Sequence, residues 1–287
     1  MIDGILNIDK PGGMTSHDVV QRVRRVAGQR RVGHAGTLDP LATGVLVVCL
    51  GKATRLVEYL VGQPKTYAAV IRLGQSTNTY DADGEIVNEA PVTATEADIA
   101  AELPAFCGEI EQVPPMYSAI KRDGKPLYTL ARQGIEVERD ARQVTIYDLQ
   151  LVAYRPPDLQ LRVVCSAGTY IRSLAHDLGQ ALGCGGHISS LRRLSVGRFS
   201  VDAAVELPLL TANNLADNLY PMDDAVRHLP RLVVPSPAVN GIRQGRQIPR
   251  RPDHPIAQLV RVYSSNDEFI GLLEAKGAQW QPKKVLT

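Results

Sequence analysis

Gly36-Thr37-Leu38-Asp39-Pro40-Leu41-Ala42-Thr43-Gly44 is the stretch on which the reading of this chain turns. Asp39 precedes a proline, whose ring pushes the preceding residue out of helical geometry toward an extended one. Glycines at 36 and 44 bracket it and let the chain turn tightly. A carboxylate held out on such a loop can serve as nucleophile or base. On local chemistry alone, an Asp-Pro turn opening a strand explains the stretch equally well. The apolar run that follows, residues 45–50, has the length of a buried strand.

Upstream, residues 4–8 read as a short strand running into the Lys10-Pro11-Gly12-Gly13 turn. A helix follows, with Ser16 as N-cap, His17 and Asp18 in its first turn, and Gly28 at its end. Val19, Val20, Val23, Val26 and Ala27 form its apolar stripe. Gln21, Arg22, Arg24 and Arg25 therefore face outward, which makes the helix a candidate phosphate-facing element. Residues 29–43 show no sustained period and read as a loop.

Downstream, residues 54–61 read as a helix with Leu56, Val57, Leu60 and Val61 inward. Residues 66–73 alternate as a strand with Tyr67, Ala69, Ile71 and Leu73 on one face. Asp81-Ala82-Asp83-Gly84 reads as a turn. Residues 94–103 form an acidic helix stopped by Pro104, and 114–142 is a polar, turn-rich segment expected to be mobile. A strand pair spans 143–154 and 159–166, a helix 169–182, and a strand-like run 188–199. Hairpins with interspersed helices, without regular βαβ alternation, predict an α+β fold. Pro230, Pro235 and Pro237 mark a boundary near residue 228, beyond which short strands predict a small β-rich domain at 229–287.

The chain has 287 residues, 44% of them hydrophobic, and its apolar runs in the first half are too short to cross a bilayer. The N-terminus carries an acid where a signal peptide would be apolar. A soluble cytoplasmic protein is expected. Cys49, Cys107, Cys165 and Cys184 lie far apart with no C-x-x-C pair, the pattern of structural core thiols rather than disulfides or zinc ligands.

The net charge of +2 hides a strong asymmetry. Residues 76–111 hold nine of the 30 acids and no Lys or Arg, so the rest of the chain carries an excess of +11. Five arginines lie between Arg22 and Arg31 and six between Arg227 and Arg251, with no acid in either run. Arginine's planar fork suits phosphate, and clustered basic charge points to a polyanion partner.

Familiar cofactor signatures fail. Gly51-Lys52 lacks the upstream glycine of a phosphate loop. Gly183-Cys184-Gly185-Gly186 follows a helix rather than a strand. His17-Asp18 and His176-Asp177 lack a third ligand at metal spacing, and no H-x-E with a partner C-x-x-C is present. An RNA-modifying reaction needing no cofactor is favoured.

The 36–44 segment resembles the catalytic loop of the TruB family of tRNA pseudouridine synthases. Lys10-Pro11-Gly12-Gly13-Met14-Thr15-Ser16 resembles the family's N-terminal signature. Gln112-Val113-Pro114-Pro115-Met116-Tyr117-Ser118-Ala119-Ile120-Lys121 resembles its mobile RNA-gripping thumb, here about 112–142. Gly168-Thr169-Tyr170-Ile171-Arg172-Ser173-Leu174 and Leu191-Arg192-Arg193-Leu194 resemble its later motifs. The blocks occur in the family's order and cover about residues 4–200. The C-terminal residues resemble the small RNA-binding PUA domain only loosely.

The resemblance implies a mixed sheet with flanking helices in a catalytic domain at 1–228 and a PUA-like domain at 229–287. It implies isomerisation of uridine 55 in the tRNA T-loop, with the base flipped out, Asp39 as nucleophile and no cofactor. By the same resemblance, Tyr67 stacks on the flipped base and is a candidate for handling the proton at C5. Arg172 partners the nucleophile, where its guanidinium would lower the Asp39 pKa. Leu191 walls the base, His34 fills the vacated RNA stack, and Lys10 supports a phosphate or the loop. Arg192, Arg193 and the arginine runs would grip phosphates. Attack on C1′ to give an ester and removal of a C2′ proton to give a glycal are both open to a carboxylate. The partner expected is the tRNA T-arm, with no membrane and no required protein partner, for a monomer. The competing readings are a non-catalytic tRNA-binding or folding protein and a guide-RNA-dependent synthase subunit.

Overall fold

The computed structural model describes residues 1–286 except 119, 123 and 132. The chain forms β1 (Gly4–Lys10), α1 (Ser16–Ala27), β2 (Val32–His34), β3 (Thr43–Leu50) and β4 (Lys65–Leu73). β1 and β3 pair antiparallel from Gly4↔Leu50 to Lys10↔Gly44. Both faces of this pair are covered, so residues 45–50 of β3 run continuously apolar instead of alternating. Leu6, Ile8, Leu46 and Val48 pack with Val19, Val20 and Val23 of α1. Ile5, Val45, Val47 and Cys49 pack on the other side with Leu56, Leu60, Phe269 and Leu272.

These strands belong to an 11-stranded mixed sheet in the order Val205–Glu206, β1, β3, Gly186–Val196, β4, Asp158–Cys165, Arg142–Arg155, Gly108–Gln112. Gly186–Val196 is its hinge: it runs parallel to β3 at Arg193↔Gly44 and antiparallel to β4 at Arg193↔Tyr67. β4 buries Tyr67, Ala69, Ile71 and Leu73 as its alternation predicts. The α+β architecture with flanking helices is as the sequence predicts. No helix among the described residues is long and apolar enough to cross a membrane.

Several local expectations need correction. The N-cap of α1 is Thr15, not Ser16: Thr15 accepts from the Asp18 N–H in a capping box, worth about 1 kcal/mol. Ser16 is the first helical residue and turns its hydroxyl inward. The 29–43 stretch contains β2, which pairs with β3 from Val32↔Leu50 to His34↔Val48; three residues are too few to show a period. The helix read at 54–61 begins as a 3-10 turn, Gly51–Leu56, and becomes α only over Val57–Val61, leaving Val61 exposed. Cys107 is exposed, so only Cys49, Cys165 and Cys184 are core thiols.

Beyond residue 230 a five-stranded sheet runs in the order Arg231–Val234, Leu259–Ser264, Phe269–Lys276, Gln279–Val285, Ile248–Pro249. The helix Ser236–Arg243 joins it. Its core surrounds the fully buried Trp280, whose Nε1 donates to His254 Nδ1 at 3.0 Å. Tyr263, Phe269, Leu272 and Leu286 instead join the cluster beneath β3. The basic run here is partly neutralised: Arg227 pairs with Asp224, Arg231 with Asp267 and Arg243 with Glu268. The arginines of α1 other than the half-buried Arg24 are exposed, as their helical phase requires.

Candidate active site

The site is a loop held rigid around one partly exposed carboxylate. Gly36 and Gly44 both adopt φ +98, in the left-handed region that favours glycine. A Cβ on Gly44 would lie 2.2 Å from the Arg193 carbonyl oxygen, so the close approach of β3 to Gly186–Val196 also demands glycine there.

Polar side chains grip the backbone between these glycines. Ser16 Oγ accepts from the Leu38 N–H at 2.8 Å and donates to the Leu38 carbonyl at 3.0 Å. The fully buried Lys10 donates through Nζ to the carbonyls of Met14 at 2.7 Å, Pro11 at 2.8 Å and Pro40 at 3.2 Å. The Gly13 N–H also reaches the Pro40 carbonyl at 2.9 Å. Lys10 thus bonds the loop backbone at Pro40. Burial lowers its pKa to about 8, against the opposing pull of Asp39.

The Asp39 side chain remains 35% exposed and meets Arg172, whose side chain is 6% exposed. Arg172 Nε lies 3.0 Å from Asp39 Oδ2, and Nη2 donates to Oδ1 at 3.1 Å. The remaining edge of the guanidinium is also used. Nη1 lies 3.2 Å from Asp81 Oδ2 and donates to the Thr79 carbonyl at 3.1 Å, while Nη2 donates to the Tyr117 carbonyl at 2.8 Å. Arg172 sits in the first turn of the helix Ile171–Ala181. That helix start is tied to the expected thumb's first residues: Gln112 bonds both the N–H and the carbonyl of Tyr170, and Ser173 Oγ donates to Val113 O at 2.8 Å.

Asp81 is the functional candidate that sequence reading missed. Read as part of a turn, it is buried, accepts from Thr79 Oγ1 at 2.6 Å, and follows Tyr80 at φ 64. Such a backbone is strained for a bulky residue. It is over-determined by the Ile188 N–H to Tyr80 carbonyl bond and by Tyr80 stacking on His176 at 4.0 Å.

The charge balance at Asp39 also differs from expectation. Burial pushes its carboxyl above the ordinary carboxylate range; Arg172 pulls it back, and Asp81 pushes it further up. The guanidinium does not win because burial is the larger effect, and the neighbouring Asp81 charge adds to it.

Tyr67 and Leu191 lie on one sheet face, since Arg193↔Tyr67 and Leu191↔Ala69 are paired neighbours. Both are nearly buried, and burial pushes the Tyr67 phenol up. His34 ends β2 half-buried, with its pKa lowered first by burial and then by Arg193. Its Nδ1 has no hydrogen-bond partner among the described residues. The structure thus joins Asp39 directly to Arg172, anchors their loop on Lys10, and sets Tyr67 and Leu191 on one sheet face. It gives His34 no hydrogen bond to the others.

Arg192 and Arg193 are not the phosphate pair expected of them. Arg192 holds Asp9 at 2.6 Å, and Arg193 is 1% exposed. Chemically, the site offers a carboxylate oriented by a guanidinium beside an aromatic and aliphatic platform, which suits a planar base carried on a sugar. Among the described residues no group of His, Cys, Asp or Glu is placed to hold a metal.

Comparison with known proteins agrees with this geometry. The family described as "TruB family pseudouridylate synthase (N terminal domain)" matches residues 24–171. "tRNA pseudouridylate synthase B C-terminal domain" matches 172–236, and "Pseudouridine synthase II TruB, C-terminal" matches 230–286. A tRNA pseudouridine synthase B of Aromatoleum aromaticum is 46% identical over 100% of this chain and 94% of its own length. Its counterpart in Dehalococcoides mccartyi is 47% identical over 99% of this chain and 96% of its own. Among solved structures, a crystal structure of a Cbf5-Nop10-Gar1 complex matches with TM-score 0.76 and 30% identity, covering 99% of this chain and 85% of that one. A full-length match at this identity, carried by a loop of this geometry, places the chain in the TruB family of pseudouridine synthases, which are isomerases.

Proposed function

We propose that this chain converts uridine 55 in the T-loop of tRNA to pseudouridine, acting alone as a monomer and without a cofactor. The observation that carries the reading is the Asp39 carboxylate, 35% exposed and gripped by Arg172 at 3.0 Å beside the Tyr67–Leu191 face. The tRNA substrate is that named for relatives such as the Aromatoleum aromaticum enzyme. Asp39 is the nucleophile, and the C1′–N1 bond breaks with its electron pair passing to the base. The base turns and rejoins C1′ through C5, which releases the Asp39 carboxylate, and the C5 proton is then lost. The uridine leaves the RNA stack to reach the Asp39 carboxylate, at a cost of a few kcal/mol that the Tyr67 and Leu191 contacts offset. His34, whose charged form is disfavoured by burial and by Arg193, occupies the vacated stack. The exposed arginines of α1 bind phosphate, and residues 229–287 form an RNA-binding domain packed against the catalytic 1–228.

The structural likeness to a Cbf5-Nop10-Gar1 complex favours a second reading, in which the chain works only with protein partners. The test is tritium release from C5-labelled uridine in an unmodified tRNA transcript, with purified chain and nothing else. Release that disappears when uridine 55 is replaced by cytidine supports the proposal. Release only after adding cell extract favours the second reading, and RNA binding with no release favours a non-catalytic RNA-binding protein.

A further inference from the structure

Arg193 is a cation with an unusual address. It is 1% exposed, on the strand between β3 and β4, and no carboxylate lies within ion-pair distance among the described residues. Burying a charge without an ionic partner is costly unless its donors are satisfied. Its donors are: Nε donates to the Val45 carbonyl at 2.7 Å, Nη2 to the Gly36 carbonyl at 3.0 Å, and Nη1 to the Thr37 carbonyl at 3.3 Å. Gly36 and Thr37 lie where the Asp39 loop begins, and Val45 lies where it ends. The guanidinium therefore staples the two ends of that loop together. It also lies beside the Tyr67 side chain, its cross-strand partner on the same sheet face.

We propose that Arg193 is a positioning residue for the isomerisation, fixing the Asp39 loop and the Tyr67 ring in one register by bonding the loop and packing against the ring. The proposal rests on the functional reading given for Asp39 and Tyr67. The two groups reach the site on different elements, one on a loop and one on β4, and the planar fork of a guanidinium can address both at once. Lys10 and Ser16 each grip backbone nearer the middle of the loop, at Pro40 and Leu38. Loss of the staple would let loop and ring shift independently, and a misplacement of about 1 Å costs on the order of 100-fold in rate.

The test compares Arg193→Lys and Arg193→Gln with wild type for thermal melting, tRNA affinity and single-turnover tritium release. Both variants are also combined with Tyr67→Phe, which removes the hydroxyl and keeps the ring. The proposal expects folded variants with wild-type RNA affinity and single-turnover rates lower by about 100-fold, with Lys retaining more rate than Gln because it keeps the charge and can still donate. The double variants should lose less than the product of the single losses, because one interaction is removed twice. Three results would overturn it: an unchanged rate in folded Arg193→Gln, strictly multiplicative losses with Tyr67→Phe, or loss of folding in both variants. An inactive wild type would count against the isomerase reading itself, and an active wild type with an unaffected Gln variant against Arg193 alone.

Discussion

Arg172 binds Asp39 through two nitrogens at 3.0 and 3.1 Å while holding Asp81 with a third at 3.2 Å, so one guanidinium serves two carboxylates. Asp39 is thereby oriented without being fully neutralised, and its partly exposed side chain keeps a path to substrate. The sharing also ties the loop before β3 to the segment around Tyr80 and, through the Tyr117 carbonyl, to the expected thumb. Four segments distant in sequence meet at one side chain.

The first prediction concerns Asp81. Its charge adds to the upward push on the Asp39 pKa, so Asp81→Asn removes that push and leaves Arg172 to Asp39. A carboxylate nucleophile works ionised, so the acid limb of the single-turnover pH profile should move to lower pH. Lost orientation of Arg172 should lower the plateau rate by about 10- to 100-fold. A profile that stays in place, or moves to higher pH, would contradict the shared-guanidinium account.

Lys10 gives a prediction on stability. Its pKa is lowered to about 8 from 10.5, so the folded state releases this proton first. The burden of burying the cation is present below pH 8 and is relieved as pH rises from 8 toward 10.5. The Tm of wild type relative to Lys10→Met should therefore increase between neutral and alkaline pH. Turnover by Lys10→Met should fall by about tenfold or more, because the Pro40 carbonyl loses one of its two donors.

Ser16→Ala separates a cap from a clamp. If Ser16 capped α1, the loss would be confined to helix stability; the hydroxyl instead bonds Leu38 twice. Leaving a buried amide and carbonyl unpaired costs about 1–3 kcal/mol, which urea denaturation would register. The same change should slow turnover, whereas Thr15→Ala, which removes the real cap, should lower stability with turnover per folded molecule preserved.

The sequence exposed the elements with a strong period: the valine stripe of α1, the unbroken apolar run of β3 and the alternation of β4. Asp39 was legible because a proline and two glycines advertise an unusual backbone around it. Arg172 and Tyr67 became candidates only through the family resemblance, since an arginine in a helix start and a strand tyrosine have ordinary explanations. Asp81 hid in a turn because its partner lies 91 positions away and nothing local marks its burial. One signal was available: residues 76–111 hold nine acids and no base, so any buried acid there must find its cation elsewhere in the chain. Arg193 misled for the opposite reason. Beside Arg192 it looked like a basic pair, yet adjacent strand residues face opposite sides of a sheet, and one of the two had to point inward.

The most direct measurement is tritium release from C5-labelled uridine in unmodified tRNA by Asp39→Asn, run beside wild type with RNA affinity measured on both. The account predicts release by wild type, none by the variant, and affinity in the wild-type range for both. Release by Asp39→Asn at the wild-type rate would contradict the assignment of Asp39 as nucleophile.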